Sequence, residues 1–181
     1  MGAFGDVGVF SFNGNKIITS GGGGAIITND KAKATWIKHV TTTAKTPHPF
    51  NYYHDELGYN YRMPNLNAAL LSAQLENLNE FLINKRETAL YYKNAFNAIG
   101  IKFKWETPGS KANFWLNCLE MENKKDRDNF LKFSNAKGLM TRPIWNLMFD
   151  LPMYEDCIRD SQKNARFLAD RILNIPSGII N

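Results

Sequence analysis

Few chains can fold around the stretch from Val9 to Asp30 in more than one way. Gly8 to Asn13 sets Val9 and Ser11 on one side and Phe10 and Phe12 on the other, and it stops at Asn13-Gly14, a strong turn signal. A second β-like run, Gly24 to Asp30, begins at the end of four consecutive glycines, Gly21 to Gly24. Lys16 falls between the two runs. It is therefore expected on a loop held at both ends by strands.

An amine condenses with a carbonyl only in its neutral form, so a nucleophilic lysine needs desolvation or a cationic neighbour, and a rigid frame to aim it. Strand ends supply such a frame. The glycines strip side chains from the adjacent backbone and permit close approach by a cofactor or another segment. Ser11, five places before Lys16, adds a hydroxyl able to donate to phosphate. The pattern Gly-x-x-x-x-Gly-Lys-[Ser/Thr] does not occur, so this is no P-loop. A lysine beside a glycine run is also what a plain flexible turn looks like, and spacing alone leaves both readings open.

The rest of the chain frames this segment. Lys31 to Val40 reads as a short helix. Thr41 to Met63 is irregular and carries Phe50, Tyr52, Tyr53, Tyr59 and Tyr61, which either serve a function or interface or pack the loop onto its own domain. Pro64 suits a first helical turn, after which Leu66, Leu71, Leu75, Leu78 and Leu82 recur at helical spacing. One long amphipathic helix is expected, running with a bend to about Ala98 and closed by Gly100, its leucines core and secondarily a dimer seam. Beyond it lie strand candidates at Ile101 to Trp105 and Phe114 to Met121, a helix from Lys125 to Ala136, a strand from Leu139 to Ile144 and a last helix from Ser161 to Leu173. The boundary is expected inside the long helix, near Asn84, giving domains 1–84 and 85–181.

Composition narrows the function classes. With 181 residues, 44% hydrophobic, the chain can bury a real core. No apolar run approaches a membrane span and no signal peptide is recognised, so a soluble cytoplasmic protein is expected. Cys118 and Cys157 lie far apart and read as reduced thiols, and His39, His48 and His54 lack metal-ligand spacing, so no metal is expected. The net charge of +5 is dispersed, and its densest cluster, Lys124 to Asp128, alternates with acids like a solvated helix face. Nucleic acid is not the expected partner.

The run Gly5-Asp6-Val7-Gly8-Val9-Phe10-Ser11-Phe12-Asn13-Gly14-Asn15-Lys16 resembles the lysine segment of the DegT/DnrJ/EryC1/StrS family, the pyridoxal phosphate-dependent sugar aminotransferases. A second block, His54 to Leu70, resembles that family's Gly-Tyr-Asn-x-Arg segment and the helix after it. A weaker echo is Arg142-Pro143-Ile144-Trp145, with Pro152 and Tyr154 following. The resemblance implies an α/β fold of the fold-type-I class: the last strands of a large cofactor domain, then a small α+β C-terminal domain. It matches only the closing half of such an enzyme, which leads to the expectation that the chain alone has little or no activity.

By the same resemblance, Lys16 is the cofactor-bound catalytic lysine and Ser11 contacts the cofactor phosphate. Asn60 reaches the phosphate from a neighbouring subunit, and Arg62 approaches the sugar nucleotide from that side, which makes the expected assembly a homodimer with shared sites. The amino group would come from an amino acid, glutamate being the expected donor, and pass to a keto sugar nucleotide for surface polysaccharide. Family members that dehydrate sugars carry histidine in place of the lysine present here. The all-glycine run, where Gly-Glu-Gly-Gly is more usual, resembles members acting on 4-keto sugars. The competing expectation is a non-catalytic module whose exposed sheet and leucine-rich helix drive self-association.

Overall fold

Two short strands, β1 (Gly8–Ser11) and β2 (Gly24–Ile27), pair antiparallel with Val9 opposite Ile26 and Ser11 opposite Gly24. They belong to a computed structural model that describes residues 2–180; Met1 and Asn181, the outermost residues of the expected domains, lie outside it. The chain divides into two units, Met1–Leu78 and Asn79–Asn181.

In the first unit, α1 (Lys31–Thr41) starts where Asp30 Oδ1 accepts the Ala32 and Lys33 N–H groups at 2.8 and 3.1 Å, the usual N-cap. Its last carbonyls would be orphaned by the helix geometry. They are taken up by the segment that follows the aromatic loop: the Tyr59 N–H donates to Val40 O at 2.7 Å and the Tyr61 N–H to Thr41 O at 2.9 Å. Thr43 and Ala44 turn the chain between them with φ of +75° and +49°, a left-handed conformation that costs non-glycine residues energy. Helix α2 (Asn65–Glu76) follows Pro64. Apart from Ala44, no hydrophobic side chain of this unit is buried among the described residues.

Helix α3 (Leu78–Ala98) begins after Asn77, whose N–H folds back onto Gln74 O and Leu75 O. The expected bend is thus a true interruption. Gly100, at φ +76°, ends α3 in the conformation only glycine takes without strain. The second unit then builds a four-stranded antiparallel sheet in the order β3-β4-β6-β5 from β3 (Lys102–Phe103), β4 (Asn117–Glu120), β5 (Arg142–Pro143) and β6 (Ile172–Ile175). Phe103, Leu119, Leu173 and Ile175 from the strands meet Ala89 of α3 and Phe114 in one buried cluster, with Phe130 and Leu131 of α4 (Lys124–Ala136) packed against it. Helix α5 (Lys163–Ala169) leads into β6.

Two expectations are corrected. The last helix does not run to Leu173: it ends at Ala169, and Ile172–Ile175 is the strand that joins β4 to β5. Four residues, three of them apolar, are too few for periodicity to distinguish helix from strand, and the bonding partners on both sides decide it. The leucines of the long helix are not core in this chain. α2 has no buried residue and Leu66 is 86% exposed, because no second layer covers that face among the described residues.

Candidate functional site

Lys16 sits on the loop between β1 and β2. The loop is tied at its base: Phe12 N–H donates to Gly23 O and Ser20 N–H to Phe12 O, both at 3.0 Å, and the Thr19 hydroxyl adds a bond to Phe12 O at 3.1 Å. At the tip, Lys16 N–H donates to Asn13 O at 3.0 Å and closes a turn through Asn13-Gly14. Lys16 is half-buried. Ser11 ends β1, exposed, where its Oγ accepts the Asn13 N–H at 3.4 Å. Its hydroxyl proton is left to donate elsewhere.

The glycine run has a use on each side. Gly21 and Gly23 have φ of +77° and +98°, which return the chain from the loop to β2. A Cβ at Gly23 would come within 3.3 Å of the Met63 methyl, and the Asn67 amide donates to Ser20 O. The second sequence block therefore docks directly on the end of the lysine loop.

Asn60 and Arg62 belong to that block. Asn60 is exposed, with its backbone bridged to Thr42, and the Arg62 guanidinium donates to Thr42 O at 3.4 Å. Both side chains are carried on backbone pinned to the end of α1. Arg62, Gly22 to Gly24, Ile26 and Ile37 line a largely apolar cleft of about 920 Å³, whose lining does not include Lys16, Ser11 or Asn60. The aromatic loop turns outward: Phe50, Tyr52 and Tyr61 are 71 to 84% exposed, so the packing alternative does not hold for these rings in this chain. Tyr59 and Tyr61 stack with centroids 5.2 Å apart.

Sequence reasoning missed two features. Asn67 anchors the glycine run, yet a lone asparagine in a helix carries no pattern to flag it. His39, Asp55 and Glu56 converge with ligand atoms within 4.8 Å of one another, from segments too far apart for spacing to show. The His39 Nε2–Asp55 Oδ1 pair at 2.6 Å holds the Asp55 carboxyl below its usual range and ties α1 to the loop.

Residues 1–179 match the profile of the DegT/DnrJ/EryC1/StrS aminotransferase family. Among curated relatives, GDP-perosamine synthase of Escherichia coli O157:H7 is 35% identical over 98% of this chain and 48% of its own length. The enzyme of the same name from Vibrio cholerae is 34% identical over 98% of this chain and 49% of its own. The aminotransferase TlmJ from Streptoalloteichus hindustanus superposes with a TM-score of 0.89 at 22% identity, over 97% of this chain and 47% of that one. The fold is the α/β fold of these fold-type-I aminotransferases. The chain spans about half the length of the curated relatives it matches.

Proposed function

We propose, because this chain belongs to the DegT/DnrJ/EryC1/StrS aminotransferase family, that it is the lysine-bearing part of a pyridoxal phosphate-dependent enzyme moving an amino group from glutamate to a keto sugar nucleotide. The observation that carries this reading is Lys16 itself: an amine on a loop clamped at its base, with a hydroxyl at the end of the preceding strand and bare backbone after it. That donor set fits the cofactor, since an aldehyde needs a primary amine and a phosphate needs hydroxyl and amide donors.

The cofactor, when bound, spreads the negative charge of a substrate carbanion into its ring. Lys16 Nζ serves as its point of attachment and as the base that carries a proton to and from the reacting carbon. Ser11 Oγ donates to the phosphate. Across a homodimer, Asn60 reaches the neighbouring subunit's phosphate and Arg62 its sugar nucleotide, which their exposed side chains on pinned backbone support. Residues 1–84 form the closing part of the cofactor domain, with the interface loop, and 85–181 the small domain. The names of the two GDP-perosamine synthases support a nucleotide-linked sugar as the substrate, and the proposed product goes to surface polysaccharide. The proposed setting is the cytoplasm, and no helix among the described residues is long and apolar enough to cross a membrane.

The test is borohydride reduction of the purified chain mixed with pyridoxal phosphate, followed by peptide mapping. Label is expected on Lys16 and is lost in Lys16→Arg. Lys85 is the internal control: burial pushes its pKa down, while its amine is buried and donates to Ser177 O. Label spread over surface lysines or concentrated on Lys85 overturns the reading. The 181 residues assayed by themselves are expected to show little or no turnover.

A second reading, self-association without catalysis, draws on the exposed apolar side chains of β1 and β2, where Val9 is 73% and Ile26 47% exposed. It predicts a concentration-dependent oligomer with no specific label on Lys16.

A further inference from the structure

His39, Asp55 and Glu56 take no part in the chemistry proposed for Lys16. Among the described residues they are the one place where three metal-ligating side chains converge, each offering an atom within 4.8 Å of the others. We propose that they bind a divalent ion of the zinc class, through His39 Nε2 and one oxygen from each carboxylate, with water completing the shell. The ion would staple the end of α1 to the segment that leads on to Asn60 and Arg62.

Main-chain bonds hold the three positions together. The His39 carbonyl, in the last turn of α1, accepts the Thr42 and Ala44 N–H groups at 3.1 and 2.9 Å. The Asp55 N–H returns to Ala44 O at 3.2 Å, and Lys45 and His54 form a β-bridge beside it. An imidazole on the helix and a carboxylate 16 residues further along are thereby brought to one place. Glu56 is oriented from behind: Trp36 Nε1 donates to its Oε2 at 3.2 Å, and its Oε1 is the oxygen that faces His39. An outer hydrogen bond of this kind aims a ligating carboxylate.

The spacing suits the ion. Zinc bonds to nitrogen and oxygen are about 2.0 to 2.2 Å long, which sets two of its tetrahedral ligand atoms roughly 3.4 Å apart. His39 Nε2 lies 2.6 Å from Asp55 Oδ1 and 3.9 Å from Glu56 Oε1, one separation below that value and one above it. All three side chains are partly exposed, so small rotations close the difference and the ion enters from solvent. With its proton on Nδ1, a neutral His39 turns the Nε2 lone pair toward the ion. Two carboxylates balance the double positive charge. The imidazole decides the class, since nitrogen ligands suit zinc, cobalt and nickel, whereas magnesium and calcium take oxygen.

The test titrates the untagged 181-residue chain with zinc chloride by isothermal calorimetry, with magnesium chloride as the contrast and the visible absorption of cobalt(II) as a second probe. Zinc should bind at about one ion per chain, and His39→Gln and Glu56→Gln should each weaken it by about tenfold or more. His39→Gln keeps an amide able to donate to Asp55, and thermal melts check that both variants are folded. Cys157→Ser and His48→Gln should bind zinc as the parent chain does, which separates this site from the exposed thiol and from a second histidine. Zinc should also slow hydrogen exchange at the Asp55 and Tyr59 amides, a local effect that scattered surface binding would not produce. Zinc binding that survives both His39→Gln and Glu56→Gln, or that disappears in Cys157→Ser, overturns the inference. So does magnesium binding as tight as zinc, or the absence of both zinc heat and a cobalt band.

Discussion

Arg86 and Glu106 meet as a two-pronged fork, Nη1 to Oε1 at 3.1 Å and Nη2 to Oε2 at 3.0 Å. The Ala112 N–H adds a bond to Oε2 at 2.7 Å, and Arg86 Nη2 reaches Ala112 O at 3.3 Å, so one carboxylate fastens the loop after β3 to α3. The guanidinium also lies over the Phe114 ring at 5.1 Å.

The hydrogen bonds from Arg86, with that from Ala112, hold the Glu106 carboxyl below its usual range. A carboxylate whose folded pKa is depressed contributes stability above the unfolded value of about 4.3, and loses it as pH falls through the lower folded value. The melting temperature should therefore drop as pH falls from 5 toward 3, and Glu106→Gln should drop less steeply over the same interval. Parallel curves for the two proteins would remove Glu106 from the acid response.

Leu173 is fully buried on β6, opposite Leu119 on β4 and Pro143 on β5. Leu173→Ala should lower the unfolding free energy by about 2 to 5 kcal/mol, the range for emptying a leucine site in a packed core. Urea titration followed by tryptophan fluorescence measures it. A loss under about 1 kcal/mol would mean that the core is centred elsewhere.

Gly58 explains itself physically. A Cβ there would lie 2.4 Å from the Thr43 carbonyl carbon, inside the turn that Thr43 and Ala44 make at positive φ. Gly58→Ala should push Tyr59 off Val40 O and Thr43. Hydrogen exchange at the Tyr59 and Tyr61 amides should speed up, and unchanged exchange would show that the turn yields without cost to the pinned block.

Asn117 is 1% exposed, and neither its amide nitrogen nor its oxygen has a hydrogen-bond partner among the described residues. Its backbone N–H is satisfied by Ser177 Oγ at 2.8 Å. A buried polar group without a partner costs about 1 to 3 kcal/mol, so Asn117→Leu, of similar shape, should raise the melting temperature. A lower melting temperature would show the amide to be held by a bound water that leucine expels.

The loop that carries the candidate site was legible where its contacts are local. Lys16, Ser11 and the turn at Asn13-Gly14 lie within six positions, and the hydrogen bonds that shape the loop run between neighbours on one hairpin. Asn67 on Ser20 and His39 on Asp55 were not legible, because each joins segments 47 and 16 residues apart through single side chains that follow no period. The residues carrying Trp145 drew notice as a motif, but its stacking on Trp115 exists only once β4 and β5 flank the same strand, β6.

Alternation, turn residues and helical spacing were enough to place β1, β2, α1, α4 and the helical stretch that ends at Ala98, whose break at Asn77 was expected only as a bend, since these signals act between residues a few positions apart. Whether Ile172–Ile175 is helix or strand, and whether the leucines of α2 are covered, depended on partners distant in the chain. Short-range preference in those stretches is too weak to outvote the hydrogen bonds of two flanking strands, or to supply a layer that must come from elsewhere.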